Sequence, residues 1–578
     1  MGEHRLAWSL AAGLAVVVAS GLGGVACGPP RTDMTQIYGP PAVVPEAYAS
    51  YLEGRMALLE GDHATAEAAF AQAMRLAPDQ AEPAQALAEV LLLAGQRERA
   101  EALIVKILER WPRDPASWKL AGRARAHAGV LVRATEAFAR AVALDPLDEE
   151  ATLLVASSLE QSGDPAGAAR ALGDYLQRVP GAVEPLARRG TLLAAAGRSK
   201  EAEPLLRRAV DLDPGHVDAM LALAALLRRD GRATEAAALL HDAFDRSGED
   251  LDVGRTLLFA LLDAGDRPAA VAFLDGLDAP WRGTPIRIEL AELAVVVRHL
   301  DGARRIARDV LDRAPGYPPA LLLDARVAAL QGHAEQAREA AGKVAEAAGE
   351  WPEAQALIAD LDARAGRAAA ARERLDRALV RAPGLPVLVI ESASQRERAG
   401  DAAGAALELD RALARTPNDT ELRFARASLE ERTGDLDRAL ALIRPMLDAD
   451  PDDVTALNFV GFSLAARKVR LPEAEKMLRR AAQLSPDDGY VMDSLGWVLV
   501  QQGRLDEAQA TLERADRLAP QEPEILFHLG VALAARGERA RAQDVLHRAL
   551  RLEPAPALRR ELEARVRALE AQASGAAR

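Results

Sequence analysis

The chain repeats itself every 34 residues, and that period decides what it can become. Successive units begin at Ala47, Ala81, Pro115, Glu149, Val183, Val217 and Leu251. They resume at Thr284 after one residue is lost and continue at Pro318, Pro352, Pro386, Thr420 and Val454. One residue is then gained before the last two, at Gly489 and Pro523, for fifteen units in all. A period in this range signals stacked supersecondary elements, each burying its apolar face on its neighbours, rather than one globular core. The composition agrees on helix. Hydrophobic residues make up 49% of the chain but aromatic ones only 4%, and the Ala- and Leu-rich remainder favours helix over strand.

The recurring positions describe the unit. Position 20 is Ala in every unit, from Ala66 to Ala542. Position 15 is Gly in thirteen, with Arg298 and Lys468 as exceptions; a Gly there supplies the left-handed conformation that ends a first helix. Position 32 is Pro in twelve units, such as Pro78 and Pro554, which stops a second helix because Pro lacks the N–H and crowds its predecessor. Position 8 is Gly or Ala in all but one unit, Leu258 being the exception, so the two helices can approach closely. A larger apolar residue at position 24, such as Phe70, Phe138 or Leu546, fills the space between hairpins.

This pattern resembles the tetratricopeptide repeat family over Ala47–Pro556. Trp118, Ala121 and Gly122, followed by Ala134, Phe138, Ala141 and Pro146, lie close to its consensus. The resemblance implies an all-α fold, an α-solenoid: a right-handed superhelix of tandem helix-turn-helix hairpins. Residues 454–503 are the best-preserved stretch and are similar to segments of envelope proteins of that family.

The N-terminus carries a different signal. Leu6–Ser20 is uncharged and apolar, too short for a transmembrane helix and suited to a secretory signal. Gly24-Val25-Ala26-Cys27 follows and resembles the bacterial lipoprotein cleavage site, with Gly24 where that family prefers Leu. Cys27 is the sole cysteine, so no disulfide can form within the chain. The expectation is a lipid on Cys27, which would fix the chain to a membrane; the alternative is ordinary secretory cleavage after Ala26. The absence of Asp at position 28 leans, by that resemblance, towards an outer membrane facing the periplasm. Residues 28–46 carry five prolines and read as an extended tether.

The expected organisation is therefore a signal peptide over 1–26, a lipidated Cys and tether over 27–46, and hairpins over 47–277. A seam over 278–283 follows, then hairpins over 284–556 and a capping helix with its tail over 557–578. The seam rests on the breaker-rich run DAPWRGTP and on Gly248, Arg282 and Gly349 standing where the family has Pro. It reads either as a hinge or as a local irregularity of a continuous stack. The last residues, SGAAR, are expected to fray.

No constellation for catalysis or metal binding is visible, and no cofactor is expected. The nine histidines are scattered, without HExxH, and no phosphate-binding loop or nucleophile elbow occurs. Asp452-Asp453 and Asp487-Asp488 fall in inter-unit turns, where helix initiation or a solvated turn explains them. The net charge of −14 argues against nucleic acid. Function is expected in the surface, as a non-enzymatic binder of proteins or peptides.

In the family the first helix of each hairpin lines a concave groove through positions 2, 5, 9, 12 and 13. Carried over, this places Asn458, Phe462, Tyr490, Asp493, Trp497 and Phe527 in the groove of the last three units. Rigid aromatics are typical binding anchors, although the same rings could close the stack against the C-terminal helix. The N-terminal end offers Tyr48, Tyr51 and Arg55, which could equally cap the stack against the tether. Lys119 and Arg123 place cations in the third unit's groove without reproducing the carboxylate clamp of the family's chaperone-binding members. The expected role is an envelope scaffold for secretion, pilus or exopolysaccharide export and assembly. The alternative is an assembly factor or regulator of outer-membrane or cell-wall enzymes.

Overall fold

A computed structural model of the chain describes residues 44–279, 282–552 and 554–576. Among them there are thirty-one helices and no strand. The helices alternate as the period requires, in fifteen hairpins and a terminal helix, and the chain divides into two compact lobes between Pro180 and Gly181. No helix among the described residues is long and apolar enough to cross a membrane. Cys27, the apolar stretch before it and most of the tether lie outside the described residues.

Two boundaries move. The first helix, Pro45–Leu59, takes in the last two residues assigned to the tether, because Pro45 sits in its first turn, where a missing N–H costs nothing. The terminal helix runs Pro556–Ala576, so the tail expected to fray is helical through Ala576. Leu562, Val566 and Leu569, on one face of it, bury against Leu526, Leu533 and Leu546 of the last hairpin. That face covers apolar surface the final unit would otherwise leave open.

The unit's chemistry is visible in its angles. The thirteen position-15 glycines all have positive φ, from 75° at Gly95 and Gly197 to 103° at Gly434. Arg298 and Lys468, the two exceptions, adopt φ 57° all the same. The turn geometry is therefore imposed by the hairpin, and these side chains bear the strain that Gly avoids. The position-8 to position-24 contact is equally strict. A Cβ at Gly496 would lie 2.5 Å from Leu512 Cγ, and one at Gly54 would lie 2.7 Å from the Phe70 ring. Bulky residues at position 24 fit these hairpins only because the facing helix has no side chain there.

In the C-terminal lobe the first helices form an inner layer. Pro386–Arg398 packs on Thr420–Thr433, and Val454–Ala466 on Gly489–Gln501, which in turn packs on Pro523–Ala535. The second helix of the ninth unit is cut short, spanning only Ala334–Gly342. At the expected seam, Leu277 ends one helix and Thr284 begins the next. The gap is bridged by Arg287, which is buried and donates to Asp278 at 2.8 Å and to Asp309 at 2.7 Å. Arg305 adds a bond to Asp278 at 2.8 Å.

This lobe also closes on itself. The helix Leu251–Asp263 packs on Leu505–Leu518, seven units further along. Met492, Ala515, Leu518 and Ile525 share one buried cluster with Leu258, Leu262, Leu290 and Ala294. Around that contact Asp263 accepts from Arg228 at 2.9 Å and from Arg514 at 2.8 Å. Arg228 also pairs with Asp487, and Arg298 with Glu522. Asp487 lies in an inter-unit turn as expected, and from there it joins an ionic clasp between distant turns of the superhelix.

Candidate partner-binding groove

The six residues expected to grip a partner lie on the inner helices of the last three units, but not in equivalent surroundings. Asp453 and Asp488 cap two of these helices, accepting from Ala456 N–H at 2.9 Å and from Tyr490 N–H at 2.8 Å. The caps fix the phase at which positions 2, 5 and 9 project. Asn458, Phe462 and Trp497 are half-buried, whereas Tyr490 is exposed. Its phenol is nonetheless partly desolvated by the residues around it, which raises its pKa above the ordinary value, with nearby Arg298 working against that shift.

Asp493 and Phe527 are buried. Asp493 is bonded through both oxygens to His528 Nδ1, each at 2.9 Å. Phe527 belongs to the cluster shared with Leu562 of the terminal helix. It therefore packs into the stack that the terminal helix closes.

The residue that organises the patch is His528, which the sequence reading missed. Its ring stacks on Trp497 at 4.2 Å and 23°. Phe462 approaches the same ring at 6.2 Å and Phe527 approaches it at 5.7 Å. Asp493 thus pins the imidazole, and the imidazole orients the indole, a rigid arrangement of the kind that binding anchors need. His528 occupies position 6 of its unit, one place outside the positions the family resemblance nominates. Its adjacency to Phe527 was the only local signal.

Asn458 adds a polar element. Its Oδ1 is buried and has no hydrogen-bond partner among the described residues. A buried acceptor without a donor costs free energy on the order of 1–3 kcal/mol. Upstream the groove deepens into a cavity of about 470 Å³ lined by Ile390, Ser394, Phe424, Ser428 and Thr455. These fall at positions 2, 5 and 9 of units eleven to thirteen. All but Thr455 lie in units eleven and twelve, before the three units whose aromatic residues mark the groove in the sequence. Phe424 and Phe459 meet edge to face at 5.2 Å, continuing the aromatic lining.

The N-terminal lobe offers less. Tyr51 packs against Phe70 at 5.4 Å while Tyr48 is exposed. Lys119 pairs with Asp148 at 2.9 Å and Glu150 at 2.6 Å, and Arg123 pairs with Glu150. Burial works against the Lys119 charge, but the two carboxylates outweigh it and hold its pKa above the usual lysine value. Both cations are thus already engaged within the lobe. Among the described residues no group of three His, Cys, Asp or Glu side chains could hold a metal ion.

Comparison with known proteins reaches the same fold. Sequence profiles described as tetratricopeptide repeats match residues 57–124, 469–526 and 499–572, and, for a second profile, 133–183, 187–250, 391–454 and 432–489. Together they cover more than half of the chain. A TPR repeat-containing protein of Pseudomonas aeruginosa is 39% identical over 62 residues, 11% of this chain and 10% of that protein. Among solved structures, the APC/C hetero-tetramer Cut9–Hcn1 aligns over 92% of this chain and 98% of its own, at 14% identity and a TM-score of 0.34. YrrB, a TPR protein with an unusual peptide-binding site, aligns over 32% of this chain and 95% of its own, at 21% identity and a TM-score of 0.27. By its period, its hairpins and the profiles that match them, the chain belongs to the tetratricopeptide repeat family, whose fold serves as a scaffold for protein–protein interaction.

Proposed function

We propose that this chain is a non-enzymatic adaptor of a bacterial cell envelope that holds an extended segment of a partner protein in the groove of units eleven to fifteen. The observation that carries this reading is the half-buried indole of Trp497 on an inner helix, held by stacking on His528 at 4.2 Å, with half-buried Phe462 approaching the same imidazole at 6.2 Å. The rings of Phe462 and Trp497 take apolar side chains of the bound segment. The envelope placement is supported by Cys27, the sole cysteine, following the apolar run Leu6–Ser20. A lipid there, with the Pro-rich tether behind it, would leave the hairpins free in the periplasm beside an outer membrane. Partners in secretion, pilus or exopolysaccharide export and assembly fit such a position.

The groove reading is tested by capturing partners with the intact protein and with a Phe462→Ala, Trp497→Ala double variant. Loss of specific partners from the variant is expected, and recovery of the same set by both proteins sinks it. The anchor is tested by feeding cells an alkyne fatty acid. Label on the intact chain that disappears in Cys27→Ser is expected; label that persists in that variant defeats lipidation at this residue.

A further inference from the structure

The cavity upstream of the aromatic patch has a chemistry of its own. Its floor is apolar, built from Ile390, Phe424, Leu429 and Met446, and its volume of about 470 Å³ falls in the range that takes one or two large side chains. Its charged lining is unbalanced. Glu397 and Arg432 neutralise each other through two parallel bonds of 2.8 Å. Glu421 and Asp453 line the same cavity and neither meets a cation in an ion pair among the described residues. Asp453 spends one oxygen on the Ala456 N–H, a cap that keeps its charge in place. The cavity therefore carries two uncompensated negative charges beside an apolar floor.

We infer that this cavity selects a partner segment in which an apolar side chain is flanked by lysine or arginine. This rests on the reading of the groove as a partner-binding surface and adds the sign of the charge it accepts. The apolar side chain enters between Ile390 and Phe424, and the flanking cation lies against Glu421 and Asp453. Charge complementarity of this kind sets specificity and encounter rate more than total affinity. An acidic segment would meet two carboxylates without a counter-ion and be rejected.

The test uses the full chain and three pools of fluorescein-labelled dodecapeptides sharing a Leu-x-Leu core. One pool has Lys or Arg at the flanking positions, one has Asp or Glu, and one has Ser or Gln. Anisotropy titration is expected to rank the basic pool tightest, by about threefold or more over the neutral pool, as two partly solvated charges allow. That preference collapses in a Glu421→Gln, Asp453→Asn variant, which keeps the shapes and the helix cap, and it shrinks in about 0.5 M salt. Equal binding of basic and neutral pools overturns the inference, as does a basic preference that survives in the variant. If the pools bind equally but lose affinity in Phe462→Ala, Trp497→Ala, this inference falls while the groove reading stands. If the basic preference holds yet partner capture is indifferent to that aromatic variant, the aromatic half of the groove reading falls instead.

Discussion

Arg514 donates to Asp263 through Nε at 2.8 Å and Nη2 at 3.1 Å, joining two helices through residues 251 apart in sequence. Arg228 reaches the same carboxylate, whose side chain is 3% exposed. A carboxylate so enclosed exists only because two guanidinium groups compensate it. Removing it leaves both arginines desolvated and unpaired, which costs far more than the pair itself contributes.

The first prediction follows from that asymmetry. Asp263→Ala should lower unfolding stability of the C-terminal lobe by about 3–5 kcal/mol. It should also raise the radius of gyration measured by solution X-ray scattering, as the two superhelical turns part. An exposed pair such as Arg198 and Glu201, at 55% exposure on each side, should by contrast contribute little, because water screens it. Equal effects of Asp263→Ala and Glu201→Ala in urea denaturation would show that the clasp does not hold the lobe closed.

Helix spacing gives the second. Gly496→Ala puts a methyl group 2.5 Å from Leu512 Cγ and 2.7 Å from its Cδ2. Overpacking of this kind costs about 1–3 kcal/mol, partly offset by a gain in helix propensity of up to about 1 kcal/mol. A net loss is expected by thermal denaturation. Gly276→Ala is the control, since nothing lies within 4 Å of the added carbon, and it should be neutral or slightly stabilising.

The third concerns the two turns that lack glycine. Lys468 is exposed and holds φ 57°, so Lys468→Gly should stabilise the protein by about 1 kcal/mol. The same change at Arg298 should not, because Arg298 also pairs with Glu522 in the clasp. Chemical denaturation of the two variants in parallel distinguishes them; a gain at both positions would mean the Arg298 pair contributes little.

Acid supplies the fourth. Burial pushes the Glu475 carboxyl up, but hydrogen bonds from Arg479, Gln502 and Arg504 prevail and hold its pKa at about 2, against 4.5 when unperturbed. Its pKa is depressed on folding, so its stabilisation is complete above pH 4.5 and fades as pH falls towards 2. Allowing for solvent screening of this network, about 1–2 kcal/mol should be lost across that window. Glu475→Gln should flatten the corresponding part of the stability profile. An unchanged slope between pH 4.5 and 2 in that variant would remove Glu475 from the account.

The groove was legible in proportion to how local its cause is. Phe462, Trp497 and Asn458 stand on the inner helices as register alone requires, because a hairpin's phase is fixed by its own caps and turn. Asp493 and Phe527 have the right register but not the expected exposure. His528 captures the one, and the terminal helix covers the other. Neither neighbour follows from the position of the residue it covers.

The sequence by itself determined the hairpin: its length, its turn, its small-residue contact and the order of its copies. Each of these depends on residues within about one period, so the pattern repeats wherever the residues do. Only the tertiary structure decided that the C-terminal lobe closes on itself. Closure depends on rotations summed over seven units, and no single unit carries a mark of that sum. Asp487 therefore reads only as a turn residue until the fold brings Arg228 against it, as it brings Arg514 against Asp263.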